Sequence, residues 1–111
     1  MNYNDPGIAS GIVVGRLPAN AQMTQALARV RTAFNAGTTN VLTVGTNPAN
    51  YDNIFGTADI AEGAAGNNAA PFANLQDVQV EADVLVKYTQ TGTAASQGKA
   101  VIHIAYTVSN G

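Results

Sequence analysis

"AQMTQALARVRTAF", residues 21–34, carries two periodicities that exclude each other. At helical spacing Met23, Ala26, Leu27, Val30, Ala33 and Phe34 make one apolar stripe, with Asn20 placed to cap the start and Gly37 just past the end. Taken two by two, Thr24, Ala26, Ala28, Val30, Thr32 and Phe34 make a small or apolar face of the kind a strand turns to a core. The continuation, NAGTTNVLTVG over residues 35–45, opens with turn formers and closes with β-branched residues, which predicts a strand over residues 40–46. Local pattern leaves helix and strand both open for residues 21–34.

Elsewhere the period is less ambiguous. Val78, Val80, Ala82, Val84, Val86 and Tyr88 alternate with Gln79, Glu81, Asp83, Leu85 and Lys87, a pattern with one core face and one water face. Ala100, Ile102, Ile104, Tyr106 and Val108 alternate in the same way over residues 99–108. Between them TQTGTAASQG, residues 89–98, is rich in turn formers, so the two runs are expected to pair as an antiparallel hairpin with a long loop. SGIVVGRLP, residues 10–18, reads as a short strand stopped by Pro18. Residues 46–74 are too rich in Asn, Gly, Ala and Pro for continuous regular structure, apart from a helical turn over residues 58–62 capped by Thr57 and ended by Gly63. A loop of that length binds something or lies over a neighbour. The arm of residues 1–9 and this loop have little apolar content, so both are expected to become ordered mainly against other subunits.

A chain of 111 residues suits one domain with a modest core, here residues 10–111 behind the arm. Charged residues are only 11% of the sequence, against about 25% in an average soluble domain. Five scattered Lys and Arg with a net charge of -2 give no basic field for nucleic acid. The absence of cysteine removes disulfides and thiolate metal sites. No apolar run approaches a membrane span, and the polar start MNYNDPG has no secretory pattern, so assembly in the cytosol is expected.

Chemical motifs fail one by one. GTAASQGKA, residues 92–100, has five residues between its glycines, Ala100 where a phosphate loop needs Ser or Thr, and a strand where it needs a helix. His103 is the only histidine, so neither a catalytic triad nor a paired-His metal site can form. Asp52, Asp59 and Glu62 lack calcium-loop spacing and read as solvated loop acids. Glu81 and Asp83 lie side by side on one strand face, where Lys87 offsets them. No catalytic, cofactor or metal residues are assigned. Tyr3, Ile8, Tyr51, Ile54 and Phe55 are apolar residues in polar, flexible segments. They either plug the ends of a sandwich or anchor a subunit interface, where Tyr and Phe are enriched.

LPANAQMTQALARVRTAFNAGTTNVLTVGT, residues 17–46, resembles small virion structural proteins of tailed bacteriophages, of the head-decoration or capsid-cement type. Leu17, Pro18, Ala19, residues 33–45 and residues 88–106 carry the likeness, which consists of structural phrases and not chemical signatures. The resemblance implies a strand over residues 21–34, a tight connection over residues 35–39 and pairing of the two flanking strands. It implies an all-β, antiparallel, jelly-roll-like β-sandwich with an N-terminal arm and one long central loop. By the same resemblance the protein is a non-enzymatic homo-oligomer, trimer or dimer, on the capsid surface of a virion. It binds the major capsid protein lattice there. A head-tail or tail component, or a carbohydrate-binding or adhesin module, is the alternative.

Overall fold

The alternation in residues 21–34 forms a strand, and two bulges explain why it imitates a helix. In this computed structural model, which describes residues 1–108, β2 (Ala21–Thr32) pairs antiparallel along its whole length with β7 (Lys99–Val108). The register slips between Met23 and Gln25 and again between Val30 and Thr32. Each slip leaves one extra residue on β2, and an extra residue reverses the phase of the inward side chains. Ala21 and Met23 are therefore buried before the first bulge and Ala26, Ala28 and Val30 after it; Thr32, past the second, is exposed, and Phe34 is buried beyond the end of the strand. Spacings of three and four arise where a strand should show only two.

β2 is the centre of one sheet. β7 lies on one of its edges, and on the other lie β4 (Gly66–Ala69) and β5 (Asp77–Val78), at different heights. The facing sheet has β6 (Ala82–Thr91) between β1 (Ile12–Leu17) and β3 (Thr39–Gly45), again antiparallel. Every connection except that from β4 to β5 passes from one sheet to the other, the jelly-roll-like form of an all-β sandwich.

That connectivity corrects two expected pairings. β6 and β7 are not a hairpin, because β6 ends in one sheet and β7 starts in the other. β2 and β3 are likewise in different sheets, although the connection between them is short. The two crossings run side by side at one end of the sandwich. Gly37 N–H donates to Thr93 O (2.8 Å), Thr38 N–H to Thr91 O (3.0 Å), and Asn35 Oδ1 accepts from the N–H groups of Ser96 and Gln97. Small and polar residues serve there because two backbones must approach closely.

The predicted run over residues 78–88 is broken. Val78 belongs to β5 and β6 begins at Ala82; between them the chain changes sheet, which leaves Val80 76% exposed. Residues 58–62 form turns and bends instead of a helical turn, and the helical piece among the described residues is a 3-10 turn at Phe72–Asn74.

The core fills the space between the sheets with Leu17, Ala26, Ala28, Val30, Leu42, Val44, Val84, Val86 and Tyr88. Phe34 packs on Tyr88 with ring centroids 4.9 Å apart and planes at 51°. Residues 46–65 close one side: Phe55 and Val44 exchange backbone hydrogen bonds along the outer edge of β3, and Ile54, Phe55 and Ile60 enter the core. The first residues lie on the body too. Met1 and Tyr3 hydrogen-bond to the start of β7 and to Gly98, and Ile8 O accepts from Tyr88 N–H (3.0 Å). Within the subunit the loop is thus tied down by the buried Ile54, Phe55 and Ile60, at roughly 1.5–3 kcal/mol each, and the arm by Ile8 and its backbone hydrogen bonds.

Candidate interaction surface

The carboxylates singled out above are committed to structure. Arg16 on β1 bridges both carboxylates of the neighbouring strand region, Glu81 at 2.9 Å and Asp83 at 2.8 Å. The hydrogen bond and charge of Asp83, followed by the charge of Glu81, raise the Arg16 pKa further. Arg16, and not Lys87, offsets the pair; Lys87 Nζ donates to Ala49 O at 3.1 Å. His103 is exposed on the outer face of β7 opposite Leu27, beside an open groove of about 430 Å³ that Gln25, Arg29 and Ala105 also line. No carboxylate lines that groove to orient the imidazole.

The three loop acids are separate, and one of them is not solvated. Asp52 accepts from Asn47 Nδ2 (2.6 Å), and Asp59 accepts from Gly56 N–H (2.7 Å). Glu62 is buried, contrary to its reading as a surface acid. Its Oε2 accepts the Leu42 N–H at 2.8 Å, and its backbone oxygen accepts from Phe34 N–H at 2.9 Å. Desolvation raises its pKa above the ordinary 4.5, partly opposed by the hydrogen bond from Leu42. Desolvation, and then the charge of Glu62, also raises the pKa of Tyr88, whose hydroxyl donates to Asn40 Oδ1. Among the described residues no group of acids and histidines is arranged to hold a metal ion.

The five apolar candidates divide by exposure. Ile8, Ile54 and Phe55 are core residues of the subunit itself, with Ile54 and Phe55 at 0% exposure. Their burial leaves Tyr3 and Tyr51, both half-buried, as the members with surface to offer a partner. Tyr51 packs its ring over Gly11, so closely that a Cβ there would sit 2.9 Å from the ring. Tyr51, Ile54 and Phe55 share one loop over β3, while Tyr3 lies by Gly98 at the start of β7.

The exposed apolar residues lie mostly elsewhere. Phe72 is 90% exposed on its 3-10 turn, and Val80 is exposed at the sheet change. Sequence reading passed over both, although Pro71-Phe72-Ala73 within a polar loop is the kind of signal that selected Tyr51. A second group, Val13, Val14, Tyr106 and Val108, lies on β1 and β7. Val14, Leu17, Val84, Ile102, Ile104 and Tyr106 line a groove of about 230 Å³ where the two sheets open on that side.

Among the described residues the arrangement offers apolar and hydrogen-bonding surface, with no nucleophile, base and orienting group in reach of one another. No family model and no curated protein matches the sequence. The fold is similar to that of a chain in the solved structure of the capsid of Ralstonia phage GP4, with a TM-score of 0.65 and 22% sequence identity over 100% of this chain and 84% of that one.

Proposed function

We propose that this protein is a non-enzymatic structural component of a bacteriophage capsid, of the decoration or cement kind, which binds the assembled major capsid protein lattice and stabilises the head. The observation that carries the reading is that the whole length of the chain, arm and loops included, follows a chain from a phage capsid. Low charge, committed polar groups and exposed apolar residues at Phe72, Val80 and the β1–β7 side support a contact function over a chemical one. The action is thermodynamic: a protein that binds only the assembled shell stabilises that state by mass action. Virion localisation, and half-buried Tyr3 and Tyr51 as contributors to the contact, belong to the same reading.

The test is to compare complete particles with particles lacking this protein, and with depleted particles to which purified protein is returned. Depleted particles should release DNA at lower temperature and regain resistance on addition. Equal robustness with and without the protein would remove the cement reading.

A further inference from the structure

Free strand edges are hazardous because their unpaired N–H and C=O groups accept other chains, and sheet proteins block them with charge, proline, bulges, short length or cover. Among the described residues each edge of this sandwich is blocked except one. On β1 a bulge at Val14 interrupts the register, Arg16 carries charge and Pro18 follows. On β3 the outer edge is covered by Phe55 and by the Glu62 carboxylate on Leu42 N–H. β4 and β5 have only four and two residues.

β7 differs. Both bulges in its pairing with β2 put the extra residue on β2, so β7 itself is regular from Lys99 to Val108. From Ala100 onward it holds no proline and no Lys, Arg, Asp or Glu. Its outer edge already accepts an extended segment at the start, where Met1 and Ala100 exchange hydrogen bonds and Asn2 pairs antiparallel with Lys99. Beyond Ala100 that edge has no partner among the described residues.

The direction of its backbone groups follows from two contacts. Ala100 points both N–H and C=O outward to Met1, while Ala105 O points back to β2, where it accepts from Thr24 Oγ1 at 3.2 Å. Alternation along an unbulged antiparallel strand then turns the backbone groups of Ile102, Ile104 and Tyr106 outward. The side chains of the same three residues line the open groove beside β1.

We propose that the outer edge of β7, residues 101–107, pairs antiparallel with the same segment of a second copy of this chain, about a two-fold axis at Ile104. This register begins where the arm stops. It sets Ile102 opposite Tyr106 and Ile104 opposite its own copy, so outward backbone groups meet outward groups and the groove-lining side chains of both copies meet on one face. A shift by one residue would set that apolar set against the opposite face. On the solvent face His103 comes opposite Ala105, and no two formal charges are opposed. A partner chosen for charge would find nothing on this edge to recognise, whereas a second copy supplies matching length, polarity and hydrogen-bonding phase. The pairing joins the four-stranded sheets of two copies into one continuous sheet and covers both grooves.

The experiment is sedimentation analysis of the purified free protein over a dilution series, with two charge-patterned variants. His103→Glu with Ala105→Glu sets like charges opposite each other twice across the axis; His103→Glu with Ala105→Lys sets opposite charges there. Both positions are exposed, and circular dichroism checks that each variant is folded. Wild type should be dimeric, the Glu/Lys chain should remain so, and the Glu/Glu chain should dissociate about tenfold more readily than the Glu/Lys chain. A monomeric wild type, or a Glu/Glu chain that dimerises as well as wild type, overturns the proposal; a monomeric Glu/Lys chain overturns its register. Hydrogen exchange on wild type gives a readout free of mutation. The amides of Ile102, Ile104 and Tyr106 should gain protection as concentration rises, and protection independent of concentration would count against a second copy. Retention on capsids is measured separately, so a monomer that still binds particles would sink the dimer and leave the capsid reading standing.

Discussion

The Glu62 carboxylate accepts the backbone N–H of Leu42 at 2.8 Å, inside the protein, and so ties the long loop to the edge of β3. Removing the acceptor in Glu62→Ala leaves a buried donor unpaired, at a cost of about 1–3 kcal/mol. Chemical denaturation against urea measures it. The carboxyl is raised above 4.5 mainly by desolvation, so the native state holds its proton to higher pH than the unfolded chain does. Its contribution is therefore full below the ordinary carboxylate range and is lost as pH rises through the native value. Relative to Glu62→Gln, which does not titrate, wild type should gain stability as pH falls from neutrality towards 4.5. A relative loss over that interval would contradict the assignment.

Gly98→Ala should be among the most damaging small substitutions. Gly98 has φ +152°, and a Cβ there would enter the ring of Phe34, which already packs on Tyr88. Overpacking and backbone strain together should cost about 2–4 kcal/mol. A thermal melt within error of wild type would show that the crossing at this end is looser than the geometry implies.

Phe55→Ala and Tyr51→Ala separate core from surface within one loop. Phe55 is fully buried, and its truncation should cost about 3–5 kcal/mol. Tyr51 is half-buried over Gly11 and should cost about 1 kcal/mol. Equilibrium unfolding of the two single variants decides it, and equal losses would mean that Tyr51 belongs to the core.

Phe72→Ser tests contact without touching the fold. With 90% of Phe72 exposed, its loss should move stability by no more than about 0.5 kcal/mol. If this face meets the capsid, retention on purified particles should fall by about 1–2 kcal/mol. Unchanged retention would place the contact on another face.

These residues also show which parts of the structure can be read from sequence. β7 was legible to the residue because it has no bulge, so its alternation runs unbroken. β2 was not, because its first bulge shifts the inward set from Met23 to Ala26 and its second turns Thr32 outward, so that the next buried residue after Val30 is Phe34, beyond the strand, and the spacings are those of a helix. The break near Val80 was invisible for the opposite reason: the alternation continues through a point where the chain leaves one sheet for the other. Partnership was the least legible feature. The segment of residues 89–98 looks the same to local pattern whether it turns a hairpin or crosses a sandwich, and what decides is contact with Asn35, Gly37 and Thr38 far away in sequence. Among the site candidates, Ile54 and Phe55 misled because composition describes a segment's average, while two buried side chains are enough to fix it.

The exchange of strands between sheets has a consequence in time. β1 has no sheet partner until β6 exists, and β2 meets its long partner only with β7, the last of the strands described. A ribosome adding about 5–20 residues per second therefore exposes β2 for seconds before the strand that covers it emerges. Refolding of the full chain should fall in the milliseconds-to-seconds range of non-local β topologies. During that interval every unfinished copy carries an open strand, so the yield of native subunits in a cell filling with them depends on how quickly β7 follows β2.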